Sequence, residues 1–339
     1  MDGVFIKIKM SDNFLGSISD RKILVTGATG FIGAHLVAHL LNSGCQLRLL
    51  IRKKNKDRFC AIQNIEICLG DVRHRESLVT ACEGIDVVVH LAGAAHTNNP
   101  LSNDINFLGS KSLLSAAVEQ KVSRFVLISS SLASQQSLQN NQASTYGKSK
   151  FDAENVLLDA HSAGDIEGVI LRPVNVYGVG MGGSIAALIS LVKRGLVPPL
   201  PQFDTRISLV GVDDVSQAIT LAIGLKKASG NTYLITDGHQ YLVSDIEREI
   251  YRALDRKMPN WRMPHLLLYV GVYIIGFLTS IFGMIGIRIP FFSGLSSRTY
   301  ENLANDNLFD NSKACGELGY EPTGNFFSSL SEILINDKA

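Results

Sequence analysis

Along the first half of the chain, short unbroken apolar runs alternate with longer stretches in which apolar residues recur at every third or fourth position. An unbroken run suits a parallel strand covered on both faces, and the longer spacing suits a helix with one covered side. On this pattern Ile23–Thr26, Gln46–Ile51, Ile65–Leu69, Asp86–His90 and Arg124–Ile128 are predicted strands. Helices are predicted from Phe31 onward and over Leu108–Gln120. Strand and helix taken in turn predict an α/β fold built on a doubly wound parallel sheet. Residues 1–20 scatter single apolar residues among Asp, Asn, Ser and Gly and are expected to form a peripheral arm. The main sheet domain is expected over 21–178, with later strands returning to it, and a smaller C-terminal α/β lobe over most of 179–339.

Composition narrows the class. The 339 residues are 46% hydrophobic and 19% charged, which suits a folded chain with a large core. Lys and Arg number 32 against 31 Asp and Glu, so no overall field draws the protein to nucleic acid, and a small-molecule site is the better expectation. The five cysteines form no C-x-x-C pair and have no histidines at zinc-ligand spacing, so reduced thiols and no metal are expected. The first twenty residues lack the apolar core and small-residue cleavage site of a signal peptide, so a cytoplasmic enzyme is expected.

The candidate chemistry starts at Thr26-Gly27-Ala28-Thr29-Gly30-Phe31-Ile32-Gly33, between the first strand and the first helix. Strand, glycine turn and helix in that order are what a dinucleotide pyrophosphate requires. Gly27 allows a tight turn, Gly30 a close backbone approach, and Gly33 close packing of helix on strand. The helix start at Phe31 and Ile32 faces the phosphates. An acidic residue ending the second strand would grip the ribose of NAD, but that strand runs into Arg52, Lys53 and Lys54. Cations there suit a 2′-phosphate, so NADP(H) is favoured and NAD(H) stays possible. Downstream, Tyr146 and Lys150 are four apart, and on a helix they share a face. A phenol beside an ammonium is a candidate acid/base pair.

Further motifs follow in order: Gly70-Asp71, His90-Leu91-Ala92-Gly93, Asn106 with Gly109-Ser110, Ser129-Ser130-Ser131, Leu171 to Gly178 (LRPVNVYG), Val212 to Val215 (VDDV) and Asp310 to Pro322. From about residue 22 onward the chain resembles the extended short-chain dehydrogenase/reductase family, of the NAD-dependent epimerase/dehydratase type. That group holds nucleotide-sugar epimerases, nucleotide-sugar 4-ketoreductases and 3β-hydroxysteroid dehydrogenases. The resemblance implies a Rossmann domain with Tyr146 as acid/base, Lys150 on the nicotinamide ribose and lowering the pKa of the phenol, and Ser131 on the reacting oxygen, with Ser130 as the alternative. It also implies cofactor contacts from Asp71, Val72, Leu91, Ala92, Gly93 and Pro173, a structural Asn106, and a homodimer. Leu132 and Ala133 stand where sugar dehydratases carry Asp and Glu, which argues against dehydration.

In the C-terminal lobe the resemblance assigns Asn175, Arg206 and Arg298 to a nucleotide-sugar diphosphate, for which arginine forks are suited. The implied activity is hydride transfer at a sugar C4, leaning to a 4-ketoreductase of surface polysaccharide assembly. A UDP-sugar 4-epimerase and a 3β-hydroxysteroid-dehydrogenase-like enzyme acting on a lipid are the alternatives, and a non-catalytic NADP-sensing scaffold is a remote one. One feature lies outside the resemblance: Leu266 to Ile287 contains no charged residue. Its length is that of a membrane span, yet a crossing would strand the Asp310 to Pro322 segment. It is expected either to touch the inner face of the membrane or to form a buried or dimer-contact helix.

Overall fold

The computed structural model describes residues 18–59, 62, 64–93, 104–134, 145–195, 199–271, 273–274 and 304–336. In chain order the elements are β1 (Lys22–Thr26), α1 (Phe31–Asn42), β2 (Gln46–Ile51), β3 (Ile65–Leu69), α2 (Arg75–Cys82), β4 (Val87–His90), α3 (Gly109–Glu119), β5 (Arg124–Ile128) and α4 (Thr145–Ser162). There follow β6 (Glu167–Pro173), β7 (Asn175–Tyr177), α5 (Gly183–Arg194), β8 (Arg206–Gly211), α6 (Val212–Gly224), β9 (Thr232–Ile235), β10 (Gln240–Leu242), α7 (Val243–Ala253) and α8 (Phe326–Asn336).

The chain divides into two compact units. The first runs to Val174 and takes back Val212–Ile235 and Asn311–Pro322. Its sheet has seven strands in the order β3-β2-β1-β4-β5-β6-β9, every neighbouring pair parallel. The order reverses between β1 and β4, where a doubly wound sheet opens a crevice at the carboxyl ends of its strands. Residues such as Ile23, Val25, Val87 and Val126 are fully buried, as strands covered on both faces require. Arg124 breaks the apolar pattern of β5, yet it is only 2% exposed. Its guanidinium donates to the carbonyls of Ala222, Ile223 and Leu225 at 2.8–3.0 Å and pairs with Glu167. The last carbonyls of α6 would otherwise lack partners, so this cation closes that helix onto the sheet.

Two expectations are adjusted. Of the expected peripheral arm only residues 18–20 lie within the described residues; they form a helical turn, and Ile18 is fully buried rather than peripheral. The helix expected from Leu108 starts at Gly109, behind a π-turn over Asp104–Leu108 that sets Asn106 inside the protein, fully buried.

The second unit comprises Asn175–Gly211, Thr236–Asp310 and Thr323–Ala339, within the described residues. It holds a three-stranded sheet, β10-β8-β7, in which β8 runs antiparallel to β10 and parallel to β7. Tyr177, Tyr241, Ile250 and Phe326 meet in its core. Asp237 is buried there with its carboxylate accepting from both phenols, Tyr241 at 2.7 Å and Tyr177 at 3.1 Å.

Candidate active site

The glycine turn is packed to the point where no side chain fits. Gly27 has φ +75°, a left-handed conformation suited to glycine, and a Cβ on it would stand 2.6 Å from Ala92 N. A Cβ on Gly33 would stand 2.2 Å from the Gly27 carbonyl oxygen, so α1 lies directly against the turn. Thr26 is paired in register with His90, which brings Leu91 to Gly93, beyond the end of β4, beside this turn. The first turn of α1 contains no acidic residue, and its N-cap, Gly30, supplies no side-chain cap. The amides at Phe31 and Ile32 therefore meet an anion without a competing carboxylate. The arrangement fits a dinucleotide pyrophosphate.

The basic residues after β2 fold back on the same turn. Lys53–Arg58 is a short 3-10 helix with Arg52 at its N-cap, and Arg52, Lys53 and Lys54 are all exposed. Arg58 donates to the Thr29 carbonyl at 2.6 Å, and Asn55 reaches the Thr29 hydroxyl at 3.4 Å. Asp71 lies beyond the end of β3 and is gripped by Arg73 through two bonds of 2.9 Å. That pairing, with Arg52 contributing, holds its carboxyl at about 2. Val72 is buried beside it.

The catalytic candidates occupy α4 and the end of β5. Lys150 is buried, and its Nζ donates to the Ile128 carbonyl at 2.9 Å. A Cβ placed on Gly93 would lie 3.3 Å from that Nζ, so the Leu91 to Gly93 loop passes against the ammonium. Burial lowers the Lys150 pKa to about 8, partly opposed by Glu154 one turn further along α4. Glu154 is itself buried and held by Arg172 through bonds of 2.9 and 2.5 Å. In the triplet after β5 the Ser130 hydroxyl accepts from the Leu132 amide and caps the turn Ser131–Ala133. Ser131, buried in that same turn, is the residue the family resemblance assigns to the reacting oxygen, with Ser130 as the alternative.

The expected lowering of the Tyr146 pKa is not what the structure shows. Burial of the phenol pushes it up to about 12. A phenolate resists losing water, and desolvation is the cause of this shift.

A chain of buried polar groups links the glycine turn to α4. His90 Nδ1 is 2.7 Å from the Thr26 hydroxyl and His90 Nε2 is 2.8 Å from the Ser110 hydroxyl. Ser110 donates to the Asn106 carbonyl, the Asn106 side-chain amide donates to Ser149 at 3.2 Å, and Ser149 donates to the Tyr146 carbonyl. Thr26 Oγ1 also accepts from the Ala92 amide at 3.3 Å. Arg58 and Glu154 were not singled out from sequence, and His90 and Arg172 stood in noted motifs without a role of their own. Glu154 continues the stripe of Tyr146 and Lys150 at the same four-residue step, which was a readable sign.

The first unit thus brings together Gly27, Leu91, Ala92 and Gly93, and sets Gly93 against Lys150. Pro173 closes β6 and is buried. Asn175 and Arg206 are exposed residues of the second unit, opening β7 and β8. The Arg206 guanidinium reaches Gln240 Oε1 at 3.4 Å. Arg298 lies outside the described residues.

The sequence profile of the NAD dependent epimerase/dehydratase family matches residues 23–236. The chain belongs to that family. It is an NAD(P)-dependent enzyme of the extended short-chain dehydrogenase/reductase class, and its cofactor is a nicotinamide dinucleotide. Within this epimerase/dehydratase family the chain is 31% identical over 264 residues to a UDP-glucose 4-epimerase of Vibrio cholerae, covering 72% of this chain and 78% of the relative. It is 27% identical over 338 residues to a 3-beta-hydroxysteroid dehydrogenase of Mycolicibacterium neoaurum, covering 92% and 90%. The fold is shared with RMD from Pseudomonas aeruginosa complexed with NADPH, at a TM-score of 0.66, 20% identity and coverage of 94% and 98%. It is shared equally with WbmF of Bordetella bronchiseptica in complex with NAD+, at a TM-score of 0.71, 19% identity and coverage of 95% and 93%.

Proposed function

We propose that this family member is an NADP(H)-dependent ketoreductase acting at C4 of a nucleotide-activated sugar, in a step of polysaccharide assembly. The observation that carries the reading is the cationic rim of the glycine turn, with Arg52, Lys53 and Lys54 exposed and Arg58 bound to Thr29. Arginine and lysine there suit a 2′-phosphate. Likeness to the Vibrio UDP-glucose 4-epimerase, with Asn175 and Arg206 exposed on the second unit, supports a nucleotide-sugar substrate.

When bound, the nicotinamide supplies or accepts the hydride. Tyr146 supplies the proton that a newly formed alkoxide requires, Ser131 orients the carbonyl oxygen, and Lys150 holds the ribose. A phenol near 12 keeps its proton through the neutral range, the form that carbonyl reduction consumes. The working form is a homodimer, by resemblance to the family.

A second reading, oxidation of a lipid alcohol, is favoured by the Mycolicibacterium relative matching nearly the whole chain and by the exposed apolar side chains of Leu266, Leu267, Tyr269, Val270, Tyr273 and Ile274. The deciding experiment releases and identifies any co-purified cofactor, titrates NADH against NADPH by fluorescence, and then offers 4-keto nucleotide sugars and 3β-hydroxysteroids in turn. Preference for NADPH with consumption of the keto-sugar supports the proposal. Tightly held NAD with sugar interconversion and no net reduction makes it an epimerase, and turnover of the sterol alone selects the second reading. Replacing Tyr146 with Phe should cost about 10²–10⁴-fold in kcat; an unchanged rate in a variant that still binds cofactor would remove Tyr146 from the mechanism.

A further inference from the structure

We propose that the helical residues 265–271, with 273 and 274, insert into one leaflet of a lipid bilayer and hold the enzyme on the membrane surface. Among the described residues eleven large apolar side chains are exposed, and seven of them fall between 261 and 274. Leu266 is 70% exposed, Leu267 60% and Trp261 57%, and Tyr269, Val270, Tyr273 and Ile274 are exposed with them. At about 100° per residue Leu266, Leu267, Tyr269 and Val270 span an arc of roughly 160°, while Leu268 and Gly271 on the other side are half-buried. Beyond the exposed His265 at its first position neither side is polar, because no Asp, Glu, Lys or Arg occurs from Met263 to Ile287. A helix that is apolar all round belongs in a core or in lipid.

The stretch is firmly rooted, so its exposure is not that of a loose end. Arg262 pairs with the buried Glu247 and also reaches the Leu200 carbonyl at 3.4 Å. The Met263 amide donates to the Pro199 carbonyl at 3.2 Å, and the His265 ring packs edge-on against Phe203 at 5.0 Å. Pro264 opens the helix by accepting from Leu267 and Leu268.

Two observations favour lipid over a second protein surface. Ahead of the apolar face Arg252 is paired with Glu249 and Asp255 is exposed, and Arg256 and Lys257 beside it are the exposed cations that complement anionic headgroups. The face itself carries the aromatic composition of a membrane boundary: Trp261, with Tyr269 and Tyr273 whose rings stand 4.7 Å apart. Insertion is into one leaflet because the chain returns to the first unit. Lys313 donates to Asn231 at 2.9 Å and lies over the Tyr233 ring, and the Glu321 amide donates to Gln217. A single crossing would strand those contacts, and the chain from 265 to 304 is too short for two crossings of about 20 residues each with a turn between them. No helix among the described residues is long and apolar enough to cross a membrane.

Trp261 is the only tryptophan in the chain, which gives a direct probe. The full-length protein is floated with vesicles of phosphatidylcholine, with and without phosphatidylglycerol, and Trp261 emission is followed with brominated phospholipid as quencher. The expected result is flotation strengthened by the anionic lipid, with Trp261 quenched. The pair Leu266→Ser and Leu267→Ser should weaken partition at least about tenfold and leave cofactor titration unchanged. The proposal is overturned if the protein stays with the soluble fraction in both vesicle types. It is equally overturned if it floats without quenching of Trp261, or if the double variant instead abolishes a concentration-dependent dimer seen by analytical ultracentrifugation.

Discussion

Thr26 and His90 are register partners across the β1–β4 pair, and the threonine hydroxyl sits 2.7 Å from the imidazole. This places a titratable ring, fully buried, at the foot of the glycine turn. Burial, aided by the charge of Lys150, depresses the His90 pKa to about 3. The unfolded chain takes up a proton near its ordinary 6.5, so this contribution to stability is complete above 6.5 and is lost as pH falls from 6.5 toward 3. Urea unfolding at stepped pH should show a loss of about 1.4 kcal/mol per pH unit from this group below 6.5. A His90→Gln variant should lack that part of the slope, and an unaltered slope would show that the histidine does not titrate as described.

Lys150 titrates in the opposite sense of usefulness. Its pKa falls from 10.5 to about 8, so below 8 both folded and unfolded states carry the proton and the buried charge is a cost. That cost is relieved as pH rises from about 8 to 10.5. Lys150→Met is expected to leave Tm unchanged or higher at neutral pH while kcat/KM falls by about 10² or more. A marked fall in Tm in this variant would mean that the bond to Ile128 stabilises more than burial of the charge costs.

The second and third glycines of the turn should differ in tolerance. Alanine at Gly33 would meet the Gly27 carbonyl oxygen at 2.2 Å, whereas at Gly30 the same atom is 3.2 Å away. Gly33→Ala should therefore cost about 2–3 kcal/mol in thermal or urea unfolding, and Gly30→Ala well under half of that. Gly30→Ala is expected to act mainly on cofactor affinity, measured by nucleotide fluorescence.

Arg52→Ala should raise the KM for NADPH by roughly tenfold and leave that for NADH within about threefold, the difference of one charged hydrogen bond to a phosphate. Equal effects on both nucleotides would remove the 2′-phosphate from the account.

Much of this could be read before any coordinates. Gln46–Ile51, Ile65–Leu69 and Arg124–Ile128 were predicted to the residue, because a strand buried on both faces writes itself as an apolar run with clear ends. Tyr146 and Lys150 were found by their spacing on one helix, a local property. What escaped was contact across distance. His90 stood in a noted motif, but its partners Thr26 and Ser110 are 64 and 20 residues away. Arg124 was read only as the first residue of a strand, and the carbonyls it closes lie about a hundred residues further on. The Tyr146 pKa was misjudged for a related reason. The cation four residues along is written in the sequence, whereas the desolvation that raises the phenol depends on the packing around it.

The interleaving of the two units also bears on how the protein is made. The seventh strand of the large sheet, Thr232–Ile235, and the segment 311–322 packed beside it leave the ribosome long after the first six strands. Until then the flank of β6 is an unpaired strand edge in the nascent chain, open to pairing with a neighbour. Synthesis therefore runs for most of its length with the Rossmann unit unfinished. A message truncated before codon 311 should yield aggregates rather than a small cofactor-binding fragment, a difference visible in the soluble fraction after expression.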